Sequence, residues 1–300
     1  MRRRSLVSVA AGAATSALMA ADSVKSKVRG SKAKGREFIE SNDGTALFCR
    51  DWGIGKPMLF VAPWAMNSRW WEPQMFRLTE AGMRCVAFDR RGHGRSGQPD
   101  RGYDFDTLAD DLAAVMELLD LRDVTLIGQS LGCGEVVHYL SRHGARRVAR
   151  AVLIGTITPG GRPDDKDAFE RVRAALLKDP HGAFANAAAD FFGAPKNPVS
   201  EETIRWWTRM IIDECNLKVA LDLFRLFRTR DFRPQLSTIR VPTLLIHGDI
   251  DKSALLDLTA KRTAPLIHGS RLNIYENAAH GLPFTHAEQL VRDLLAFANG

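Results

Sequence analysis

Gly128-Gln129-Ser130-Leu131-Gly132 places a serine between the apolar run Val124–Ile127 and a helix-like stretch from Leu131 to His143. Glycine two positions away on each side of a serine is the pattern of a nucleophile elbow. Such a strand-to-helix turn is so sharp that its flanks admit almost no side chain. A glycine-rich turn with an incidental serine shares the pattern, so the rest of the chain must supply a base and an acid. A serine nucleophile needs an imidazole within hydrogen-bond reach, and the imidazole needs a carboxylate to orient it. Two downstream stretches offer these groups. His247-Gly248-Asp249-Ile250-Asp251 follows the run Thr243–Ile246, and Ala278-Ala279-His280-Gly281 follows Arg271–Tyr275. Asp249 and Asp251 compete for the place of the acid. His280 stands apart from His138, His143, His181 and His286, which fall on helices or helix ends, because it occupies a loop after a late strand. The chemistry open to such a set is acyl transfer.

Side chains so far apart in sequence meet only if the strands before them end side by side. In an open parallel sheet they gather at the carboxyl ends of the strands. Short apolar runs at Phe38–Glu40, Ala46–Trp52, Met58–Val61, Cys85–Phe88, Val124–Ile127, Val152–Ile154, Thr243–Ile246 and Arg271–Tyr275 read as strands. Asn42-Asp43-Gly44 marks a hairpin between the first two. Helical patterns over Trp70–Ala81, Phe105–Leu119, Leu131–His143, Ala254–Ala264 and Ala287–Ala298 alternate with the later runs. That alternation predicts an α/β fold, a mostly parallel sheet with helices on both faces. It breaks from about Thr158 to Leu236, where only helices are apparent, over Arg171–Leu177, Ala183–Phe192, Glu201–Asn216 and Lys218–Arg228, punctuated by Pro159, Pro163, Pro195, Pro198 and Pro234. The expected organisation is a leader over 1–36, a core over 37–157, a helical cap over 158–236 and a second core segment over 237–300. Phe191, Phe192, Trp206, Trp207, Phe224 and Phe227 of the cap are expected to serve mainly as core, with some facing an apolar substrate.

Composition excludes several function classes. The net charge of +7 is not a nucleic-acid footprint once it is located. Residues 1–36 carry nine lysines and arginines against Asp22 alone, which leaves 33 basic and 34 acidic residues from 37 onward. Cys49, Cys85, Cys133 and Cys215 have neither CxxC nor metal-ligand spacing and read as buried thiols. Arg2-Arg3-Arg4-Ser5-Leu6-Val7, followed by a weakly apolar stretch to Ala21, resembles a bacterial export signal of the twin-arginine type. A disordered leader without a targeting role is the alternative, and cytoplasmic residence goes with it. The stretch is too short and too polar for stable membrane insertion.

The chain resembles the α/β-hydrolase superfamily, most closely its cofactor-free haloperoxidase and arylesterase branch. The matching segments are Trp70-Trp71-Glu72-Pro73-Gln74-Met75, Asp89–Ser96, Asp110-Asp111-Leu112, Gly128–Gly134, Val241-Pro242-Thr243, His247–Asp251 and His280-Gly281-Leu282. The resemblance implies an eight-stranded sheet, a helical cap over the active site, and no metal or organic cofactor. It assigns the nucleophile to Ser130, the base to His280 and the acid to Asp251. Backbone N–H groups of Trp64 and Leu131 are its expected oxyanion donors. Two departures stand out. Ala62-Pro63-Trp64 replaces the family's usual His-Gly-aromatic loop, and Ala65 stands where members associated with peracid formation tend to carry proline. The expected function is hydrolysis of small apolar carboxylic esters or lactones. The rivals are a haloperoxidase or perhydrolase, a carbon–carbon bond hydrolase, and a silent ligand-binding protein of the same fold.

Overall fold

The computed structural model describes residues 37–160 and 167–300. The basic leader and Pro163 lie outside the described residues. Eight strands form one sheet: β1 (Phe38–Glu40), β2 (Ala46–Trp52), β3 (Pro57–Val61), β4 (Arg84–Phe88), β5 (Val124–Gln129), β6 (Val148–Ile154), β7 (Thr243–Gly248) and β8 (Arg271–Tyr275). Their spatial order is β1-β2-β4-β3-β5-β6-β7-β8. The first two strands are antiparallel additions at one edge, and β4, β3, β5, β6, β7 and β8 run parallel. The chain leaves β3 toward β4 on one side and returns to β5 on the other. The loops after β3 and β5 therefore diverge, and that divergence opens a crevice at the carboxyl end of the sheet.

Apolar sequence accounts for the centre of this sheet. Every residue of β5 is buried, as a strand covered on both faces requires. Helix α1 (Glu72–Glu80) packs against the final helix on one side, while α2 (Phe105–Leu118) packs against α3 (Leu131–His143) on the other. Full burial of side chains such as Phe60 and Ile127 contributes roughly 1.5–3 kcal/mol each. All four cysteines are buried and free. The β1–β2 turn is tied down by charge. Arg91, 1% exposed, pairs with Asp111 of α2 at 2.6 Å and with Asp43 of the turn at 2.8 Å. The Arg91 hydrogen bond holds the Asp43 carboxyl well below the usual carboxylate range.

Between β6 and β7 lie α4 (Ala168–Lys178), α5 (Pro180–Phe192), α6 (Glu201–Asp213), α7 (Leu217–Thr229) and the single turn α8 (Arg233–Leu236). No strand occurs there among the described residues. Helices α5 and α6 pack together, and α4 touches both α5 and α7. Among the described residues, no helix is long and apolar enough to cross a membrane.

Two expected helices differ from the structure. Ala254–Ala264 is not one helix: only α9 (Ala260–Thr263) and a 3-10 turn (Ala264–Leu266) form. The Asp251 carboxylate takes the N–H groups of Ser253 and Ala254, both at 2.8 Å, and His247 Nε2 donates to Ala254 O at 2.6 Å. Those bonds curl the segment into a loop, because short side chains that bond the local backbone compete with the helix ladder. The Trp70–Ala81 stretch divides into a 3-10 turn (Ser68–Trp71), capped by Asn67, and α1, which starts one residue before Pro73. The chain closes with α10 (Leu282–Thr285) and α11 (Ala287–Asn299).

Candidate active site

Ser130 leaves the carboxyl end of β5 with φ 53° and ψ −115°. A non-glycine residue in such a conformation costs of order 1–3 kcal/mol and persists only where the surroundings impose it. Here Ser130 N donates to Ile154 O at 3.0 Å, which ties the turn to the neighbouring strand. The flanking glycines serve through space rather than through φ, since neither has a positive φ. A Cβ on Gly128 would lie 2.4 Å from Gly132 O, and one on Gly132 would lie 2.5 Å from Val61 O. The elbow is thus pressed against both its own helix and the end of β3.

His280 follows β8, and Asp251 follows β7, so both arrive at the same sheet edge as Ser130. His280 Nδ1 lies 2.6 Å from Asp251 Oδ2, with the histidine side chain 5% exposed and the aspartate fully buried. An ionised carboxylate only accepts, so Nδ1 carries the proton and Nε2 is left as a base. The other Asp251 oxygen is filled by the Ser253 and Ala254 N–H groups. Burial alone would raise the Asp251 carboxyl, but the charge and hydrogen bond of His280, with His247 and Ala254 N–H, hold it below the ordinary value. Asp249, the other candidate acid, is exposed, and among the described residues it makes only a backbone bond, from its N–H to Tyr275 O. His247 is fully buried, 3.5 Å from Asp251 Oδ2, and burial holds its imidazole below the ordinary value.

Two residues that pattern reading passes over lock this pair to the elbow. Gln129, buried inside the motif itself, donates from Nε2 to His280 O at 2.8 Å and accepts from Trp70 Nε1 at 2.5 Å. A polar side chain ending an otherwise apolar strand is the available signal. Gly155, at φ 52° after β6, leaves room for the imidazole: a Cβ there would lie 3.2 Å from its Cε1 and Nδ1.

The loop after β3 faces the serine. Among the described residues, neither Trp64 N–H nor Leu131 N–H has a protein acceptor. The Trp64 indole donates from Nε1 to Ala220 O of α7 at 2.7 Å, and its ring packs among Phe184, Phe224 and Phe227. Ala65 has φ 59°. Beneath the loop lies a buried pair that spacing does not reveal. Arg90 Nε is 2.7 Å from Glu135 Oε1, and Arg90 Nη2 donates to Ala62 O at 2.7 Å.

Ser130 and His280 open into a cavity of about 360 Å³. Of the six cap aromatics, Phe191, Trp207, Phe224 and Phe227 line it, joined by Phe184. Phe192 is fully buried, and Trp206 stacks on Trp70 at 6.4 Å, so these two serve as core. Lys252 and Asp190, an exposed ion pair at 2.6 Å, also border the cavity and link the loop after β7 to α5. Among the described residues no group of three or more His, Cys, Asp or Glu is placed to hold a metal ion.

This chain belongs to the α/β-hydrolase family: the family described as alpha/beta hydrolase fold matches residues 56–287. It is 36% identical over 271 residues to a non-heme haloperoxidase of Rhodococcus erythropolis, covering 87% of this chain and 98% of the relative. It is 35% identical over 273 residues to a bifunctional esterase/perhydrolase of Acinetobacter calcoaceticus, with the same two coverages of 87% and 98%. Among solved structures it is similar to an esterase from Exiguobacterium antarcticum, with a TM-score of 0.83 and 29% identity over 88% of this chain and 99% of that one. The protein is therefore an α/β-hydrolase enzyme of the haloperoxidase/esterase branch.

Proposed function

We propose that this enzyme hydrolyses carboxylic esters, cyclic esters included, through an acyl-enzyme on Ser130. The observation that carries the reading is the buried 2.6 Å bond from His280 to Asp251, beside a strained serine in a mostly apolar cavity. His280 Nε2 removes the Ser130 hydroxyl proton as Oγ bonds to the substrate carbonyl carbon. Asp251 holds the ring in the required tautomer and stabilises the imidazolium. Trp64 and Leu131 N–H groups donate to the oxyanion. The imidazolium returns its proton to the departing alkoxide. Water then repeats the sequence and releases the acid.

The names of the relatives favour a second acyl acceptor, hydrogen peroxide in place of water, which would yield a peracid. Ala65 argues for water as the main acceptor. Its φ of 59° lies outside the range near −65° that proline permits, so the loop differs from one carrying proline there.

The test is a short p-nitrophenyl ester with and without peroxide, alongside a fluorophosphonate probe. The expected result is hydrolysis and labelling at Ser130, with Ser130→Ala losing roughly 10⁴–10⁶-fold in kcat. Full activity in Ser130→Ala, or no turnover and no labelling in the wild type, would overturn the reading. Peracid formed faster than acid would favour the second acceptor.

A further inference from the structure

Arg90 and Glu135 are both sealed from solvent, with side-chain exposures of 2% and 0%. Charges so placed call for a reason, since a buried ion pair is weak evidence for stability. Their location supplies one. Arg90 follows β4, in the loop Asp89–Ser96, and Glu135 lies on α3, one turn beyond Gly132 and five residues beyond Ser130. The guanidinium grips Glu135 Oε1 through Nε at 2.7 Å and Nη2 at 2.5 Å. It turns its remaining donors on consecutive carbonyls of the loop after β3: Nη2 on Ala62 O at 2.7 Å and Nη1 on Pro63 O at 3.4 Å.

The second of those contacts, together with Met66 N–H on the same oxygen at 3.3 Å, sets a direction. The Pro63 carbonyl and the Trp64 N–H belong to one peptide unit, and that unit is trans. In a planar trans peptide the C=O and N–H point opposite ways. Holding the Pro63 oxygen on Arg90 and Met66 N–H therefore turns the Trp64 N–H the opposite way, leaving that group without a protein acceptor among the described residues. Pro63 adds nothing of its own, because it has no N–H. The carbonyls are the handles by which this loop can be oriented, and the anchor for the guanidinium sits on the helix that begins at the nucleophile. Lysine could not reproduce the grip, because a single ammonium lacks the planar fork.

We propose that Arg90, anchored by Glu135, is a positioning residue that aims the Trp64 N–H at the oxyanion and holds it in register with Ser130. The proposal rests on the reading of Trp64 as an oxyanion donor in ester hydrolysis. Misplacing such a donor by an ångström costs on the order of 10²-fold in rate.

The decisive variant is the double substitution Arg90→Met with Glu135→Gln, which removes the grip without stranding a buried charge. The expected result is a loss of about 10²-fold in kcat on a p-nitrophenyl ester, with KM within about threefold. Affinity for a trifluoromethyl ketone, which forms an oxyanion on Ser130, should fall in parallel, while affinity for the corresponding unreactive amide stays within about threefold. Arg90→Lys should recover little of the loss. If the double variant does not fold, Arg90→Lys and Glu135→Gln alone carry the test, with kcat and ketone affinity again falling together. Unchanged kcat in folded variants, or loss confined to KM or to melting temperature, would overturn the proposal. A wild type that neither hydrolyses esters nor binds the ketone would instead remove the hydrolase reading beneath it.

Discussion

The floor and the roof of the cavity are fastened in different ways. On the floor, Ser130, His280, Asp251 and the loop after β3 are held by buried hydrogen bonds and charge pairs, several of them to backbone atoms. In the roof, Phe184, Phe191 and Trp207 meet ring against ring, and the Lys252–Asp190 pair across the rim is exposed. Hydrogen bonds fix direction as well as distance, whereas apolar contact is non-directional. On the proposed function, the floor is therefore suited to chemistry, which tolerates little displacement, and the roof to selecting what shape of substrate enters. The two meet at a joint. Gly94 N donates to Glu214 O at 2.5 Å, Asn216 N donates to Gly92 O at 3.1 Å, and His93 lies buried between them, its Nε2 without a partner among the described residues.

The sharpest way to break this comparison lies on the floor. Asp251→Asn should lower kcat by about 10⁴-fold, because the amide no longer enforces the imidazole tautomer. Asp249→Asn, two residues away and exposed, should stay within roughly twofold on that argument. Steady-state kinetics on one ester decide it, and equal losses would show that the acid has been misplaced. In the roof the signature should be different. Phe227→Ala should raise KM by roughly 10-fold for long acyl chains and change little for acetate, as pocket contacts worth about 1–3 kcal/mol do. A chain-length series measures this. A drop in kcat common to all chain lengths would mean that roof and floor are one catalytic unit.

At the joint the test is pH. Burial, helped by the Arg90 charge, pushes His93 from 6.5 down to about 3. Between those values the unfolded chain binds a proton that the folded protein refuses, so stability is lost as pH falls through that window. Relative to wild type, His93→Phe should show a smaller fall in melting temperature between pH 7 and 4. Parallel melting curves would exclude His93 as a source of acid sensitivity. The smallest effect belongs to the rim. Lys252→Ala or Asp190→Ala should alter ester kinetics by no more than about twofold, since exposed ion pairs contribute about 0–1 kcal/mol. A tenfold change would promote the rim from border to binding element.

Much of the floor is legible in the amino-acid sequence. Ser130 announces itself through Gly128 and Gly132, because the crowding at the elbow forbids side chains at both flanks. His280 and a carboxylate at Asp249 or Asp251 can be placed by chain order and by the strands ahead of them. The choice between Asp249 and Asp251 cannot be made from the residues alone. It depends on which carboxylate the turn after β7 directs inward, and that turn is shaped by Ser253, Ala254 and His247. The same bonds explain why a helical pattern over Ala254–Ala264 misleads: local propensity loses to a tertiary requirement at Asp251. The roof is legible as helices and opaque as a surface. Phe191 and Phe192 are adjacent, yet one borders the cavity and the other is sealed in the core, because successive residues on a helix face different ways.

By itself the sequence determined the architecture and the order of serine, carboxylate and imidazole along the chain. Alternating apolar periods and the glycines of the elbow are local signals, and they dictate a parallel sheet whose loops present a serine, a carboxylate and an imidazole at one edge. Only the tertiary structure decided how those groups are aimed. Gln129 reaches across 151 positions to His280, and Arg90 joins Glu135, 45 positions on, to the carbonyls of a loop before it. Such contacts leave no periodicity behind. They depend on side-chain direction in a packed interior, which local sequence does not encode.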